Sequence, residues 1–336
     1  CFLDVVPFVL DTFPWNHPRP TTPFSKSEYA GKSEAERRRG RYRGGLGVVL
    51  EHVMAYYFGQ MFRGRLVRLG DEVAGHFPDS TFENTVRDVA VDGQIVIAFA
   101  NAAYAKVMEN WVIAARRAGA ENLLIVALDE TTRTACGRLQ VPCYRITESS
   151  PDFPEIMRIR VRTFRHLCMM GVDFINSDID AMWLRDPQPY LRGLPGDILI
   201  STGTIQPPEL HEQWGFTLCS GFFMARATVR MRAFFERVLE DDRGDQISLN
   251  HALFEDGIDY QLPDETYTLP FRGKSVRLSK NPIVGRSETF EIRVLPHHLF
   301  QRIVDDNEEA LVKHPQAPKA QEEKLQTLRK LGLYFL

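Results

Sequence analysis

Cysteine is scarce in this chain, with five residues in 336: Cys1, Cys136, Cys143, Cys168 and Cys219. That is too few for a disulfide-built scaffold, and no Cys-x-x-Cys or paired-histidine spacing suggests a zinc module. Cys136 and Cys143 are close enough in sequence to bridge, whereas Cys168 and Cys219 lie in apolar surroundings that suit buried thiols. No apolar run approaches the roughly 20 residues of a membrane span. Neither sign of charge dominates, and a formal net charge of −3 gives no global drive toward nucleic acid or an anionic membrane. No internal repeat is visible. The first residue is Cys1 rather than Met, so the N-terminus reads as trimmed, with a membrane anchor possible in the lost part.

What is present is ordinary for a soluble globular protein: 44% hydrophobic and 25% charged residues, in a length that suits one large domain or two small ones. Pro7, Pro14, Pro18, Pro20 and Pro23 punctuate the start, and a charged run with Arg37, Arg38 and Arg39 follows. A helix is plausible over 46–62. We read 1–90 as a partly ordered N-terminal extension or stem, and 91–336 as the folded domain.

From Gln94 the pattern alternates between strand and helix. Strands are expected at 95–100, 123–128, 141–145, 172–177, 197–201 and 218–225. Between the first two, Tyr104, Val107, Met108, Trp111, Val112 and Ala115 form one apolar helix face, with Asn101 as its cap and Gly119 as its end. Further helices are expected at 153–170, stopped by Gly171, and at 228–239 and 246–254. Such alternation implies an α/β domain with a largely parallel sheet, which binds ligands outside the carboxyl ends of its strands.

One of those ends stands out. The run Val172-Asp173-Phe174-Ile175-Asn176-Ser177 leads into Asp178-Ile179-Asp180, followed by Trp183-Leu184-Arg185-Asp186-Pro187. Residues two apart in an extended chain point to one side, so Asp178 and Asp180 can share a cation. Carboxylate oxygens suit Mg²⁺ or Mn²⁺, ions that commonly bridge a protein to a diphosphate. Asn101 and Asp129 lie at other strand ends.

Taken in order, several segments resemble the nucleotide-diphospho-sugar transferases, and more narrowly the glycosyltransferase family 77 group. They are Phe99-Ala100-Asn101-Ala102-Ala103-Tyr104, Asn110-Trp111-Val112, Val126-Ala127-Leu128-Asp129 and Ser177-Asp178-Ile179-Asp180 with its Trp183 to Pro187 tail. Ser220-Gly221-Phe222-Phe223, Asp245-Gln246-Ile247-Ser248-Leu249-Asn250 and Val312-Lys313-His314-Pro315 before an amphipathic helix continue the series. The resemblance covers about 94–336 and leaves the stem outside. It departs at Cys219, where family members often carry Asn before Gly-Phe.

The resemblance implies a GT-A fold: a Rossmann-like mixed sheet flanked by helices in a single catalytic domain. It implies a retaining glycosyltransferase that uses Mn²⁺ (or Mg²⁺), takes a UDP-sugar donor and glycosylates a glycan or glycoprotein with α linkage. It also implies a Golgi lumen location, with the cytoplasm as the alternative. By the same resemblance Asp180 is the main metal ligand, Asp178 binds metal or donor, and His314 completes the metal set. A neutral imidazole suits Mn²⁺, though a histidine before Pro315 could equally be a surface residue.

Arg158, Arg162 and Arg165 form a stripe on one helix face. Such stripes are usually solvated, but similar transferases place a cationic residue here against the donor. Arg162 is the first candidate for a catalytic role and Arg158 the second, for donor binding. Asp245 opens a helix beside Gln246, where a carboxylate could face the anomeric carbon or merely cap the helix. The resemblance puts Asn101, Tyr104 and Asp129 at the nucleotide, with Tyr104 stacking on uracil, and Ser220 and Gly221 at the donor. Tyr104 also fits the core, and Asp129 also fits a helix cap.

Two other classes compete. A haloacid-dehalogenase-type phosphatase also places Asp-x-Asp after an apolar strand, but it normally has Thr or Val where Met182 stands. A non-catalytic sugar-binding protein of transferase shape would not require Asp178, Asp180, Asp245 and His314 together.

Overall fold

A computed structural model describes residues 81–146, 151–288, 290–316 and 320–336, all within the compact unit Ala74–Leu336. The prolines and basic run of the expected stem, and the helix at 46–62, lie outside the described residues.

The elements run α1 (Thr81–Val89), β1 (Gln94–Ala100), α2 (Ala105–Ala118), β2 (Leu123–Ala127), α3 (Glu130–Leu139), β3 (Cys143–Arg145), α4 (Phe153–Met170) and β4 (Asp173–Ser177). They continue with β5 (Met182–Trp183), α5 (Gln188–Arg192), β6 (Ile198–Thr202), α6 (Pro208–Trp214), β7 (Leu218–Ala225), α7 (Val229–Glu240) and α8 (Asp245–Glu255). Short strands β8 (Asp259–Gln261), β9 (Thr266–Phe271), β10 (Lys274–Ser279), β11 (Ile283–Arg286), β12 (Glu291–Val294), β13 (Phe300–Gln301) and β14 (Val312–Lys313) lead to α9 (Gln321–Lys330).

Nine strands form the central sheet in the order β3-β2-β1-β4-β7-β6-β12-β11-β8. Strands β1 to β4 pair in parallel, because each is reached by a helical crossover. Strand β7 runs antiparallel between β4 and β6, and β11 antiparallel between β12 and β8. Alternation alone points to a largely parallel sheet; these two reversals make it mixed, as the resemblance implied. β1 has β2 on one side and β4 on the other, so the chain switches direction around β1. The strand ends at Ala100 and Ser177 therefore flank the switch point, the place at which such sheets bind ligands.

Local sequence explains the helices. In α2 the expected stripe Val107, Met108, Trp111, Val112 and Ala115 is buried. Asn101 has the extended backbone of a cap but makes no side-chain cap bond; Asp129 does that work from the next strand end, accepting the Ala102 amide at 2.6 Å. Residues Ala102–Tyr104 form a 3₁₀ turn ahead of α2. Gly171 ends α4 in the left-handed region at φ 72°, open to glycine without strain. Helix α1 falls within the expected 1–90 extension, yet Phe82 packs against Tyr144 at 5.1 Å and Glu83 meets His166 at 2.9 Å. Cys136, Cys143, Cys168 and Cys219 are free thiols. Among the described residues no helix is long and apolar enough to cross a membrane.

Candidate active site

Three separate chain segments converge on Asp180. The first is the end of β4, where the Asp178 amide donates to the Gly221 carbonyl at 2.6 Å and fixes Asp178 against β7. The Ala181 amide then donates to the Asp178 carbonyl at 2.9 Å, so the chain turns and brings Asp180 back to the same place. Behind this turn, Ser177 accepts the indole N–H of both Trp111, at 3.1 Å, and Trp183, at 3.2 Å. The Trp183 segment is thus an anchor for the acidic turn.

The second segment is β14. It pairs antiparallel with β5, Val312 opposite Trp183 and Lys313 opposite Met182, so the residue after β14 falls beside Asp180. That residue is His314, whose Nε2 lies 3.1 Å from Asp180 Oδ1 and 3.8 Å from Asp178 Oδ2. The third segment is α9, which sends the Lys324 ammonium onto Asp180 Oδ2.

The ligand atoms of Asp178, Asp180 and His314 all lie within 4.8 Å of one another. Two carboxylates and an imidazole are a donor set suited to Mn²⁺ or Mg²⁺. Gly221 keeps the space between them: a Cβ there would stand 2.4 Å from His314 Cε1 and 2.5 Å from Asp178 Oδ2. The residues present therefore fit a divalent cation.

Charge is concentrated and buried here. Burial alone would raise Asp180, but His314 and Lys324 outweigh it and hold the carboxyl far below the usual range. Burial and Arg302 press His314 down; Asp180 and Cys219 prevail and raise it to about 9. Cys219, at the position that departs from the resemblance, places its sulfur 3.7 Å from His314 Nδ1. Its thiol is lowered despite burial, because Arg302 and His314 lie close.

Arg160 extends this cluster. Its Nη2 is 2.9 Å from Asp178 Oδ1, and its Nε is 3.2 Å from Asp245 Oδ2. It also donates to the Ser220 carbonyl at 3.3 Å, and its guanidinium lies 5.7 Å from the Phe99 ring centroid. The contact with Asp245 is an ion pair without hydrogen-bond alignment, since Arg160 Nε and Asp245 Oδ2 are both buried without a hydrogen-bond partner. Burial opposes the charge on Arg160, but Asp178 and Asp245 raise its pKa.

Asp178, Asp180, His314, Ser220, Gly221 and Asp245 are thus joined in one network. Asp245 is the first residue of α8, after an uncapped Gly244, and its Oδ1 accepts the Gln246 amide at 2.7 Å. Gln246 Nε2 donates to the Gln206 carbonyl at 3.1 Å, beside the loop after β6. Tyr104 packs against the core and lies under Lys324, 5.9 Å from ring centroid to ammonium. Asn101 Oδ1 is buried without a hydrogen-bond partner. Asp129 gives one oxygen to Ala102 and the other to Thr132 at 2.7 Å, the geometry of a double cap.

The arginine stripe lies differently. Arg162 reaches Glu155 at 2.9 Å and Arg158 reaches the same carboxylate at 3.7 Å. The arginine in contact with Asp178 and Asp245 is Arg160, from the buried face of α4. Sequence reasoning passed over it and over Lys324. A signal for Arg160 existed: it precedes Phe164 and Leu167 on the apolar stripe, and a buried arginine requires acidic partners.

A family model described as nucleotide-diphospho-sugar transferase matches residues 118–328. The chain is similar to the beta-arabinofuranosyltransferase RAY1 of Arabidopsis thaliana, 25% identical over 52% of this chain and 36% of that protein. It is also similar to the arabinosyltransferase RRA2 of Arabidopsis thaliana, 24% identical over 49% of this chain and 46% of that protein. The chain therefore spans less than half the length of either relative. Among solved structures it is similar to the galactosyltransferase LgtC in complex with donor and acceptor sugar analogues. That likeness has a TM-score of 0.35 and 14% identity, over 48% of this chain and 70% of that chain.

Proposed function

The chain belongs to the nucleotide-diphospho-sugar transferases, and on that premise we propose that it is a metal-dependent, retaining glycosyltransferase. It moves a sugar from a UDP-sugar to a glycan or glycoprotein acceptor. The observation that carries this reading is the convergence of Asp178, Asp180 and His314 at the carboxyl end of β4, with Arg160 linking them to Asp245.

Asp178, Asp180 and His314 would hold Mn²⁺ or Mg²⁺, which supplies Lewis-acid stabilisation for the departing diphosphate. The remaining work falls to the chain itself. Arg160 orients Asp178 and Asp245, and its charge favours an anionic leaving group nearby. Asp245 Oδ2, buried and balanced by the Arg160 ion pair but accepting no hydrogen bond, would stabilise positive charge at the anomeric carbon or attack it. Gln246 bonds to the Gln206 carbonyl and so ties α8 to the loop after β6, where sugar or acceptor would lie. Tyr104, Asn101 and Asp129 form the nucleotide end, with Ser220 and Gly221 lining the donor side.

Retention means that a UDP-α-sugar gives an α linkage. Arabinofuranose, xylose and galactose are the donors to try, the first because two similar proteins are named for arabinosyl transfer. Under retention, a β product like that in the name of RAY1 would require a β-configured donor. A Golgi lumen site of action belongs to the same reading.

The test is a UDP-sugar panel read by UDP release, with and without Mn²⁺, on the wild type and on Asp180→Asn. We expect Mn²⁺-dependent release from the wild type and a loss of at least about a hundredfold in the variant, the scale of removing a strong electrostatic stabiliser. Equal turnover by a folded Asp180→Asn protein would refute the metal role. A β-linked product from a UDP-α-sugar, seen by NMR, would refute retention. Phosphate release from a phosphomonoester would favour the dehalogenase-type alternative.

A further inference from the structure

Asp180 is buried at 7% exposure and has two basic neighbours in this structure, His314 and Lys324. A buried carboxylate requires such compensation. His314 is a metal-ligand candidate, and its imidazole can remain at the site when an ion arrives. Lys324 cannot take part in that way, because an ammonium has no lone pair to offer a metal. Its Nζ sits on Asp180 Oδ2, while Oδ1 of the same carboxylate faces His314 Nε2 at 3.1 Å, so a cation shared with Asp178 and His314 would meet the ammonium across one carboxyl group and be repelled by it.

The lysine is held there by a rigid base and a flexible arm. Leu325 and Leu328, its neighbours on α9, are buried in the main core, and Gln321 Oε1 accepts the Lys106 amide at 2.9 Å. The four-carbon stem can swing without the helix moving. One further site of attraction is already in reach: the face of Tyr104, 5.9 Å from the ammonium. A diphosphate bridging to the same cation would add a stronger one.

We infer that Lys324 is an exchange residue of the donor site: its ammonium neutralises Asp180 in the metal-free protein and transfers to the diphosphate when a divalent ion takes that place. This rests on the metal-dependent reading above. A divalent ion arriving alone must displace an ammonium that then has no new anionic partner, so it binds weakly. The ion arriving with a nucleoside diphosphate supplies that partner, so ion and diphosphate bind cooperatively. Coupling between two ligands is reciprocal, so the lysine should strengthen each in the presence of the other.

Free Mn²⁺ can be counted by electron paramagnetic resonance during titration of wild type, Lys324→Gln and Lys324→Met, each with and without UDP. Without UDP, both variants should bind Mn²⁺ about tenfold more tightly than wild type, because no ammonium must be displaced from Asp180. The factor by which UDP strengthens Mn²⁺ binding should shrink by about tenfold or more. The metal-free variants should also melt at lower temperature, since Asp180 loses a partner. The inference is overturned if both variants bind Mn²⁺ alone no more tightly than wild type, or if the UDP enhancement is unchanged. Asp180→Asn separates the two readings: if it binds Mn²⁺ as well as wild type, the metal site itself is misassigned.

Discussion

Arg160 shows how much one side chain can decide. It bridges Asp178 of the acidic turn and Asp245 of α8, which are far apart in sequence. Lysine at this position would keep the charge but lose the planar fork that reaches both. Arg160→Lys should therefore lower kcat/KM for UDP-sugar turnover by tenfold or more, because a charged hydrogen bond contributes about 1.5–3 kcal/mol. Arg162→Ala, at the Glu155 pair, should change it much less. Equal effects of the two would return the catalytic role to the stripe of Arg158, Arg162 and Arg165. The acidic pair and His314 were legible in the sequence because strand periodicity and ordered motifs point to them. Arg160 was not, since a helix carrying arginines at four positions hides the one that turns inward. Lys324 was not, since nothing local links it to an aspartate 144 positions earlier.

At the scale of elements, the sheet and helices follow the alternation of the sequence, and the surprises are in joints. The pairing of β14 with β5 brings His314 home, and two-residue strands carry little sequence signal of their own. Helix α9 was legible as amphipathic, but its target was not. Leu325, Leu328 and Leu333 are buried in the same core as Trp111 and Trp183. Asn110 clamps the segment after α9, donating to the Leu333 carbonyl at 2.9 Å and accepting the Phe335 amide at 2.5 Å. Leu328→Ala should cost about 2–5 kcal/mol of unfolding free energy, the range for a buried leucine that leaves a cavity. Urea unfolding measures this. A loss under about 0.5 kcal/mol would mean that α9 is only loosely docked.

At the scale of the whole molecule, buried histidines set how stability depends on pH. His297 accepts the Ile303 amide on Nε2 at 3.2 Å and meets the Tyr267 hydroxyl through Nδ1 at 3.2 Å, so its ring is neutral. Burial, opposed by Asp305 and aided by His298, pushes its pKa down to about 4. In the unfolded chain the ring binds its proton near about 6.5. Between those values the unfolded state holds more protons, so this contribution is intact above about pH 6.5 and declines toward pH 4. The slope for this one ring approaches about 1.4 kcal/mol per pH unit. His166, also lowered by burial, acts in the same direction. His314 acts in the opposite one: its raised pKa means that, without metal, its contribution is full below about pH 6.5 and is lost as the pH rises through about 9. Urea melts of chelator-treated protein at pH 5, 6 and 7 should show a shallower acid decline for His297→Gln than for wild type. Parallel declines would remove His297 from this account.

The convergence on Asp180 has a consequence for how the protein is made. Synthesis adds about 5–20 residues per second, so Lys324 leaves the ribosome roughly 7–30 s after the aspartate it will meet, given the 144 positions between them. In that interval β1 to β7 can already pair, with Asp178 facing Arg160 but neither cationic partner of Asp180 yet synthesised. A nascent chain, or one terminated before His314, would thus display an uncompensated Asp180 and an uncovered face of α2. The site is complete only once β14 and α9 have emerged to meet Asp180.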